Sequence, residues 1–423
     1  MTPEKHNREG LGSWLAMGVG SGGPRDALVI EALRTPIGRY GGALSRVRPD
    51  DLASYVIQAL VERSGINPEC IDDVIFGCGN QAGEDNRNVA RMAVLLAGLP
   101  PTVPGVTVNR LCASGLDAIN YAAYRILSGE SDVIIAGGVE SMSRAPFVMP
   151  KPEHGFPRGD IRMYDTTIGW RFVNPRLASR YRTLSMGECA EVLAEKYNIS
   201  REEQDRYALE SHRRAIRAID EHIFDDEIIP VKTVDEKGEE RVVRTDEGPR
   251  RDTDMEKMAR LRPVFKENGT VTAGNSSQIS DGAAGVLLVS REKAEELGLT
   301  PLARFVSSAV AAVHPDYMGL GPVYSTPKAL KRAGLTLDDI GLIELNEAFA
   351  AQVLACMREM PLESSRVNPN GGAIALGHPI GCSGARIVAT LLHEMRRRKV
   401  RYGLATLCVG VGQGESTVFE LVA

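Results

Sequence analysis

No two of the seven cysteines stand three residues apart, so the chain has neither a thioredoxin-like C-x-x-C motif nor the paired spacing of a zinc knuckle. The odd count and the lack of a secretory leader lead to an expectation of free thiols in a reducing cytoplasm. No apolar run reaches the roughly 20 residues that cross a bilayer as a helix, so no membrane span is expected. Neither sign of charge dominates: the net charge of −5 leaves no global attraction for nucleic acid. Histidine is scarce, with seven residues, so any histidine inside a glycine-dense motif stands out. Residues 1–23 lack a long apolar stretch and are expected to form a disordered extension. The C-terminal Glu420-Leu421-Val422-Ala423 carries no receptor-read address.

What is present is length and glycine. The 423 residues suffice for two or three domains with real cores. The 43 glycines gather in motifs rather than in one flexible tract. Apolar runs predict strands at Ala27–Ala32, Val74–Gly77, Gly105–Asn109 and Asp132–Ala136, with helices from Pro49, over Asn86–Leu96, and after Cys112 up to Gly129. From Arg144 to Arg262 the pattern changes to charge, Pro and Arg. One helix is predicted there, opened by the capping box Ser200…Glu203 and ending near Asp220. Alternation resumes with strands at Ala283–Ser290, Ala303–Ala309, Gly341–Glu344, Leu404–Cys408 and Ser416–Leu421. Helices are predicted near Pro327–Ala333, Ala348–Met357 and Ala385–Arg398. Alternating strands and helices predict an α/β layered fold. The two ends read as one layout used twice, with Cys112-Ala113-Ser114-Gly115 and Gly381-Cys382-Ser383-Gly384 at equivalent turns.

Three glycine-padded clusters carry candidate chemistry: Asn109–Gly115, Asn370–Pro379 and Cys408–Gly414. Cys112 is placed where a strand meets a helix N-terminus, a setting that favours the thiolate; a buried structural cysteine fits the same residues. His378, between Gly377 and Pro379, is placed to take a thiol proton. The glycines after Cys408 can turn backbone N–H groups toward an anion, as in an oxyanion hole, or serve only a tight turn. Asn346 reads either as a helix cap or as a holder of water in a site. The loop Gly274–Ala284 reads as turn punctuation. Arg250, Arg251, Lys257, Arg260, Arg262 and Lys266 form either a solvated face or a phosphate dock.

Taken as a set, these clusters resemble the thiolase family, from about Asp26 to the end of the chain. The motifs are Asn109–Gly115, Val139–Ser143, Thr272–Ala284, Asn346–Ala350, Gly377-His378-Pro379 and Cys408–Gly414. Asp165-Thr166-Thr167-Ile168-Gly169-Trp170-Arg171-Phe172-Val173-Asn174-Pro175 and Gln81–Asn88 look most like the branch of acetyl-CoA acetyltransferases and β-ketoadipyl-CoA thiolases.

The resemblance implies an αβαβα fold of two similar halves with an inserted loop domain. The domains are then expected at 24–143 with 280–299, at 144–279 for the loop domain over the CoA site, and at 300–423. It implies a ping-pong acyltransferase that cleaves 3-ketoacyl-CoA with CoA or condenses two acetyl-CoA. Cys112 would be the nucleophile, His378 its base and Cys408 the acid/base at the α-carbon. Backbone N–H groups of Cys112 and Gly410 would hold one oxyanion, and His378 with a water on Asn346 the other. Ser277, Arg250, Met186, Ala273, Met318, Ala348 and Phe349 would line the CoA and acyl channel. Coenzyme A enters as substrate, with no resident cofactor and no metal, in a cytoplasmic homo-oligomer (a dimer or dimer of dimers). Ser185, Gln278 and Ala113 depart from frequent family residues at these positions. A β-ketoacyl synthase-like enzyme is the near rival, although that group usually has His or Asn where Cys408 stands. A Cys–His–Asn hydrolase would need Cys112, His378 and Asn346 but not Cys408.

Overall fold

The computed structural model describes residue 23 and residues 25–156, 158–235 and 237–422. The expectation of disorder at 1–23 falls almost wholly outside them. The core is one sheet built from strands β1 (Ala27–Arg34), β2 (Asp73–Gly77), β3 (Gly105–Val108), β4 (Val133–Ser141), β5 (Ser280–Ser290), β6 (Ala303–Ala312), β7 (Leu342–Leu345), β8 (Tyr402–Val409) and β9 (Gln413–Leu421). They follow the order β7-β8-β9-β6-β1-β5-β4-β2-β3, and a two-residue strand, Gly38–Arg39, adds to β5.

This order is one pattern written twice. In the first half β3, β2 and β4 are parallel, and β5 and β1 return antiparallel. In the second half β7 and β8 are parallel, and β9 and β6 return antiparallel. A single parallel bridge between Ile343 and Val367 stands where the second half would have its own β3. Within the sheet, the described halves are joined where Leu28 and Val29 pair with Arg304 and Ala303.

The helices fill three layers around these two sub-sheets. Helices α1 (Pro49–Ser64) and α2 (Val89–Leu96) cover the outside of the first half through Leu52, Val56, Leu60, Ala93 and Val94. Helices α6 (Gly321–Ala333) and α7 (Ala350–Glu359) cover the outside of the second. Between the sub-sheets lie α3 (Ser114–Ser128) and α8 (Ile380–Arg398), sharing one core with Ile134, Val286, Phe305, Leu407 and Phe419. Burying a large aliphatic side chain there stabilises the fold by about 1.5–3 kcal/mol. The five layers match the αβαβα arrangement expected above.

Glycine explains how close the central helices come. A Cβ on Gly384 would lie 2.3 Å from the Leu116 nitrogen, and one on Gly138 would lie 2.0 Å from the Gly381 carbonyl oxygen. Backbone therefore packs on backbone at the N-terminal ends of α3 and α8. This is also why α8 begins at Ile380 rather than Ala385: Gly381 and Gly384 are contact glycines inside the helix, not a turn before it. Helix α6 likewise begins at Gly321, with Pro322 in its first turn and Pro327 within it, well before the expected start. Helix α2 starts later than expected, because Asn86 and Arg87 take left-handed conformations and Asn88 caps it.

Between β4 and β5 the chain leaves the core. This excursion carries α4 (Met186–Lys196) and α5 (Arg201–Asp220), each opened by a Ser…Glu capping box. Helix α5 was expected and α4 was not. Among the described residues no helix is long and apolar enough to cross a membrane.

Candidate active site

Cys112 sits in a tight 3-10 turn, Leu111–Ala113, at the head of α3. Leu111 is left-handed at φ 48°, which a bulky residue adopts only when its surroundings hold it there. Two side chains do so. Asn109 Oδ1 accepts from the Leu111 N–H at 2.8 Å, while its amide donates to the Gly79 carbonyl at 3.0 Å. Ser114 Oγ accepts from the Arg110 N–H at 2.8 Å and donates to the Leu111 carbonyl at 2.7 Å. Burial pushes the Cys112 thiol up to about 11, against a smaller lowering by the Gly410 backbone. The direction is opposite to the depression expected from the helix end, because removal from water disfavours the charged thiolate.

His378 lies just before α8. Its Nδ1 is 2.5 Å from Ser383 Oγ, and that hydroxyl donates to the Pro379 carbonyl at 2.9 Å. Because the hydroxyl's one proton is committed, Ser383 must accept from Nδ1–H, which leaves Nε2 as an open acceptor. Burial, with a smaller contribution from Arg386, lowers the imidazole to about 4, so it is neutral at ordinary pH. Asn346 Nδ2 lies 3.5 Å from both ring nitrogens, and its buried Oδ1 has no hydrogen-bond partner among the described residues. The cap reading of Asn346 falls away, since α7 begins at Ala350 with Phe349 in the cap position.

Cys408 is the next-to-last residue of β8, opposite Gly414, and packs among Cys189, Met318, Ala348 and Phe349. Burial raises its thiol well above the ordinary range, and the neighbouring Cys112 raises it further. The glycines after it form the turn that joins β8 to β9, with Val411 at φ 63° and Gly412 at φ 81°. The turn reading of this tract is thus correct, and the same turn places Gly410 against Leu111 and Met186.

These turns open onto one cavity of about 310 Å³. Cys112, His378, Cys408, Gly410, Ser277, Met186, Met318, Ala348 and Phe349 line it together. Ser277 reaches it because its N–H donates to the Ala348 carbonyl at 2.9 Å, tying two distant loops into one wall. Asn346 stands behind His378 rather than on the cavity surface. Arg250 and Ala273 are not brought in: both are exposed, and Arg250 borders a separate groove with His212 and Arg251. The basic cluster around Arg250 is largely a paired surface, with ion pairs Arg251–Asp220, Arg260–Glu256 and Lys266–Glu195. Among the described residues no group of His, Cys, Asp or Glu is placed to hold a metal.

Sequence reasoning missed two contributors. Glu140, in β4, accepts from the Gly79 and Gly381 amides at 2.8 Å each and from the Asn80 amide at 3.1 Å. It staples both halves around the cavity, and burial lifts its carboxyl to about 7. The second is the stretch Thr166–Arg171 of the excursion, which forms a whole wall. Only its branch-like motif marked it in the sequence.

Comparison with known proteins agrees with this constellation. The thiolase N-terminal domain model matches residues 27–292 and the thiolase C-terminal domain model residues 299–421. The chain is 54% identical over 401 residues to the 3-oxoadipyl-CoA/3-oxo-5,6-dehydrosuberyl-CoA thiolase of Escherichia coli, covering 94% of this chain and 100% of that protein. It is also 54% identical over 401 residues to the beta-ketoadipyl-CoA thiolase of Pseudomonas aeruginosa, with the same coverage of 94% and 100%. Among solved structures, the acetyl-CoA acetyltransferase of Bacillus anthracis superposes with a TM-score of 0.88 at 44% identity, over 94% of this chain and 99% of that one. Two thiols and an imidazole at the seam of a duplicated five-layer fold, matched over nearly the whole length, place the chain in the thiolase family of acyl-CoA:CoA acyltransferases.

Proposed function

We propose that the enzyme cleaves 3-oxoacyl-CoA with CoA, and runs the reverse condensation, through an acyl group carried on Cys112. Cys112 Sγ attacks the 3-keto carbonyl while His378 Nε2 takes its proton. The C–C bond breaks to leave the enolate of acetyl-CoA, and Cys408 donates a proton to that α-carbon. CoA then enters and gives its thiol proton to the Cys408 thiolate as its sulfur attacks the Cys112 thioester; Cys112 leaves with the proton returned by His378, and the acyl group departs as a new CoA thioester. One thioester replaces another in this second half, so the step is nearly balanced. The enolate is the costly species, and each N–H aimed at such an oxyanion is worth about 10²–10³ in rate.

The N–H groups of Cys112 and Gly410 hold the acyl-enzyme oxygen. His378, with a water held by the unpartnered Asn346 oxygen, holds the thioester oxygen. Met186, Ser277, Met318, Ala348 and Phe349 wall the channel; Arg250 and Ala273, outside the cavity, are left to the nucleotide end of CoA. The excursion 144–279 acts as the loop domain, set against 24–143 with 280–299 and 300–423. Acting on CoA thioesters without a resident cofactor, the enzyme works as a cytoplasmic homo-oligomer. Its preferred substrate is a 3-oxoacyl-CoA of the 3-oxoadipyl kind, a reading supported by the names of its relatives.

The observation that carries this reading is the convergence of Cys112, Cys408 and a neutral His378 with an open Nε2 on one cavity. Intact-mass measurement after mixing with acetyl-CoA tests it. Wild type and Cys408→Ala should each gain one acetyl group, and Cys112→Ser none. Cys408→Ala should then neither cleave acetoacetyl-CoA nor form it. If that variant completes both reactions, the acid/base assignment is wrong. Thioester loss without any CoA acceptor, at the rate of thiolysis, would identify a hydrolase instead.

A further inference from the structure

The wall formed by Thr166–Arg171 contains a charge that the proposed chemistry does not use. Among the described residues Arg171 is the only lysine or arginine lining the cavity. Its side chain forms no ion pair or hydrogen bond with any described residue, although the segment around it is firmly held. The Thr166 hydroxyl donates to the Pro146 carbonyl at 2.6 Å, and the Thr167 hydroxyl to Asp165 Oδ1 at 2.6 Å. Trp170 Nε1 donates to the Leu184 carbonyl at 2.9 Å. Gly169 and Phe172 are left-handed at φ 85° and 52°, and the Phe172 ring lies 5.1 Å from that of Tyr164. The backbone on either side of Arg171 is therefore positioned, while its guanidinium is left without an anion.

Among the described residues the rest of the cavity offers that anion no other lysine or arginine, only neutral polar groups such as Asn80, Ser277 and Gln278. Leu111, Met142, Ile168, Met186, Ile279 and Phe349 are apolar, and the one lining carboxyl, Glu140, is occupied by three backbone amides. A carboxylate brought into such a space unpaired would carry a large desolvation penalty, whereas a planar guanidinium can meet it with two parallel hydrogen bonds.

We propose that Arg171 is the specificity determinant of this enzyme, receiving the terminal carboxylate of a dicarboxylic 3-oxoacyl chain and of the succinyl group left on Cys112 after cleavage. This rests on the substrate reading given above and assigns that reading to one side chain. Nothing in acetoacetyl-CoA calls for a cation here. The alternative anion is a phosphate of CoA itself. It is common to every substrate, so the two sources separate cleanly.

The test is thiolysis of 3-oxoadipyl-CoA, 3-oxohexanoyl-CoA and acetoacetyl-CoA by wild type, Arg171→Met and Arg171→Lys. The first two substrates have six-carbon acyl chains and differ in the terminal carboxylate. The kcat/KM ratio of 3-oxoadipyl-CoA over 3-oxohexanoyl-CoA should fall about 10²-fold in Arg171→Met. Arg171→Lys should retain part of it, since it keeps the charge without the bidentate geometry. A ratio unchanged in Arg171→Met overturns the assignment, as does an equal loss on all three substrates, the result expected of a phosphate contact. Wild type alone provides a second readout should Arg171→Met not fold: succinyl-CoA should inhibit acetoacetyl-CoA thiolysis more strongly than butyryl-CoA, with the gap closing as salt rises. Equal inhibition overturns the proposal. If wild type shows no preference for 3-oxoadipyl-CoA over 3-oxohexanoyl-CoA, the substrate reading itself fails. If wild type shows that preference and Arg171→Met retains it, only the role of Arg171 fails.

Discussion

The two halves share a strand order and a pair of central helices, yet each supplies different chemistry at the same place. At the head of α3, Ser114 holds the turn that presents Cys112; at the head of α8, Ser383 holds His378. The cysteine beside Ser383, Cys382, is wholly buried, and burial raises its thiol to about 12. The halves also differ in how their last parallel strand turns back. In the first half β4 and β5 are separated by the whole excursion, which covers the cavity. In the second half β8 and β9 are separated by Gly410-Val411-Gly412, which brings Gly410 against Leu111 in the Cys112 turn. One repeat thus supplies the roof and Cys112, the other His378 and Cys408, on the same scaffold.

The contact between the halves offers the most severe way to break this division. Gly384→Ala would drive a methyl group into the Leu116 backbone. We expect a loss of about 1–3 kcal/mol or more, the usual cost of overpacking, read by denaturant unfolding. A cost under about 0.5 kcal/mol would mean that the central helices can slide apart freely.

The paired serines sharpen the comparison. Ser383→Ala removes the acceptor that orients His378, and acylation of Cys112 should slow about 10–100-fold, the rate equivalent of one strong hydrogen bond. Ser114→Ala instead removes two bonds within a strained turn, and should cost about 1–2 kcal/mol of stability. Stopped-flow acylation and thermal unfolding of both variants separate the roles. Equal effects on both measurements would show that the two serines do the same job.

The pH dependence of acylation and of stability should differ in sign and window. With His378 lowered to about 4 and Cys112 raised to about 11, the resting pair is a neutral imidazole and a neutral thiol. Acylation should therefore hold level from pH 8 down to about 5 and drop as His378 protonates near 4. Single-turnover rates across that range check it, and a decline already complete at pH 6 would contradict the neutral assignment.

Glu140 acts on stability instead. Its folded value, about 7, lies above the ordinary 4.5, so the folded state holds that proton more tightly than the unfolded chain does. Its contribution is fully present below about 4.5 and is lost as pH rises through about 7. The melting temperature of Glu140→Gln should consequently change less than that of wild type between pH 4.5 and 8. Parallel curves would remove Glu140 from this account.

How much of this was readable in the chain follows from the range of each interaction. Strand β4 was visible because a strand buried on both faces in a parallel pairing needs a continuous apolar run, and the predicted Asp132–Ala136 holds one. Helix α4 was overlooked, although Ser185…Glu188 has the same capping-box spacing that revealed α5. The start of α8 was misplaced because a contact glycine and a turn glycine look alike until the opposing backbone is known. Cys112, His378 and Cys408 were legible because each stands in a local motif with its own chemistry. Glu140 and Arg171 were not given roles, since their function depends on which distant segments the topology brings to the same wall.

The meeting of α3 and α8 has one more consequence. Cys112 and His378 ride on opposite sides of a joint where main chain rests on main chain with no side-chain cushion. Any rigid-body creep there is transmitted undamped to the reacting atoms. Turnover should then register displacements too small to change the melting curve, making the reaction itself a finer gauge of how well the duplicated parts are seated than any measurement of unfolding.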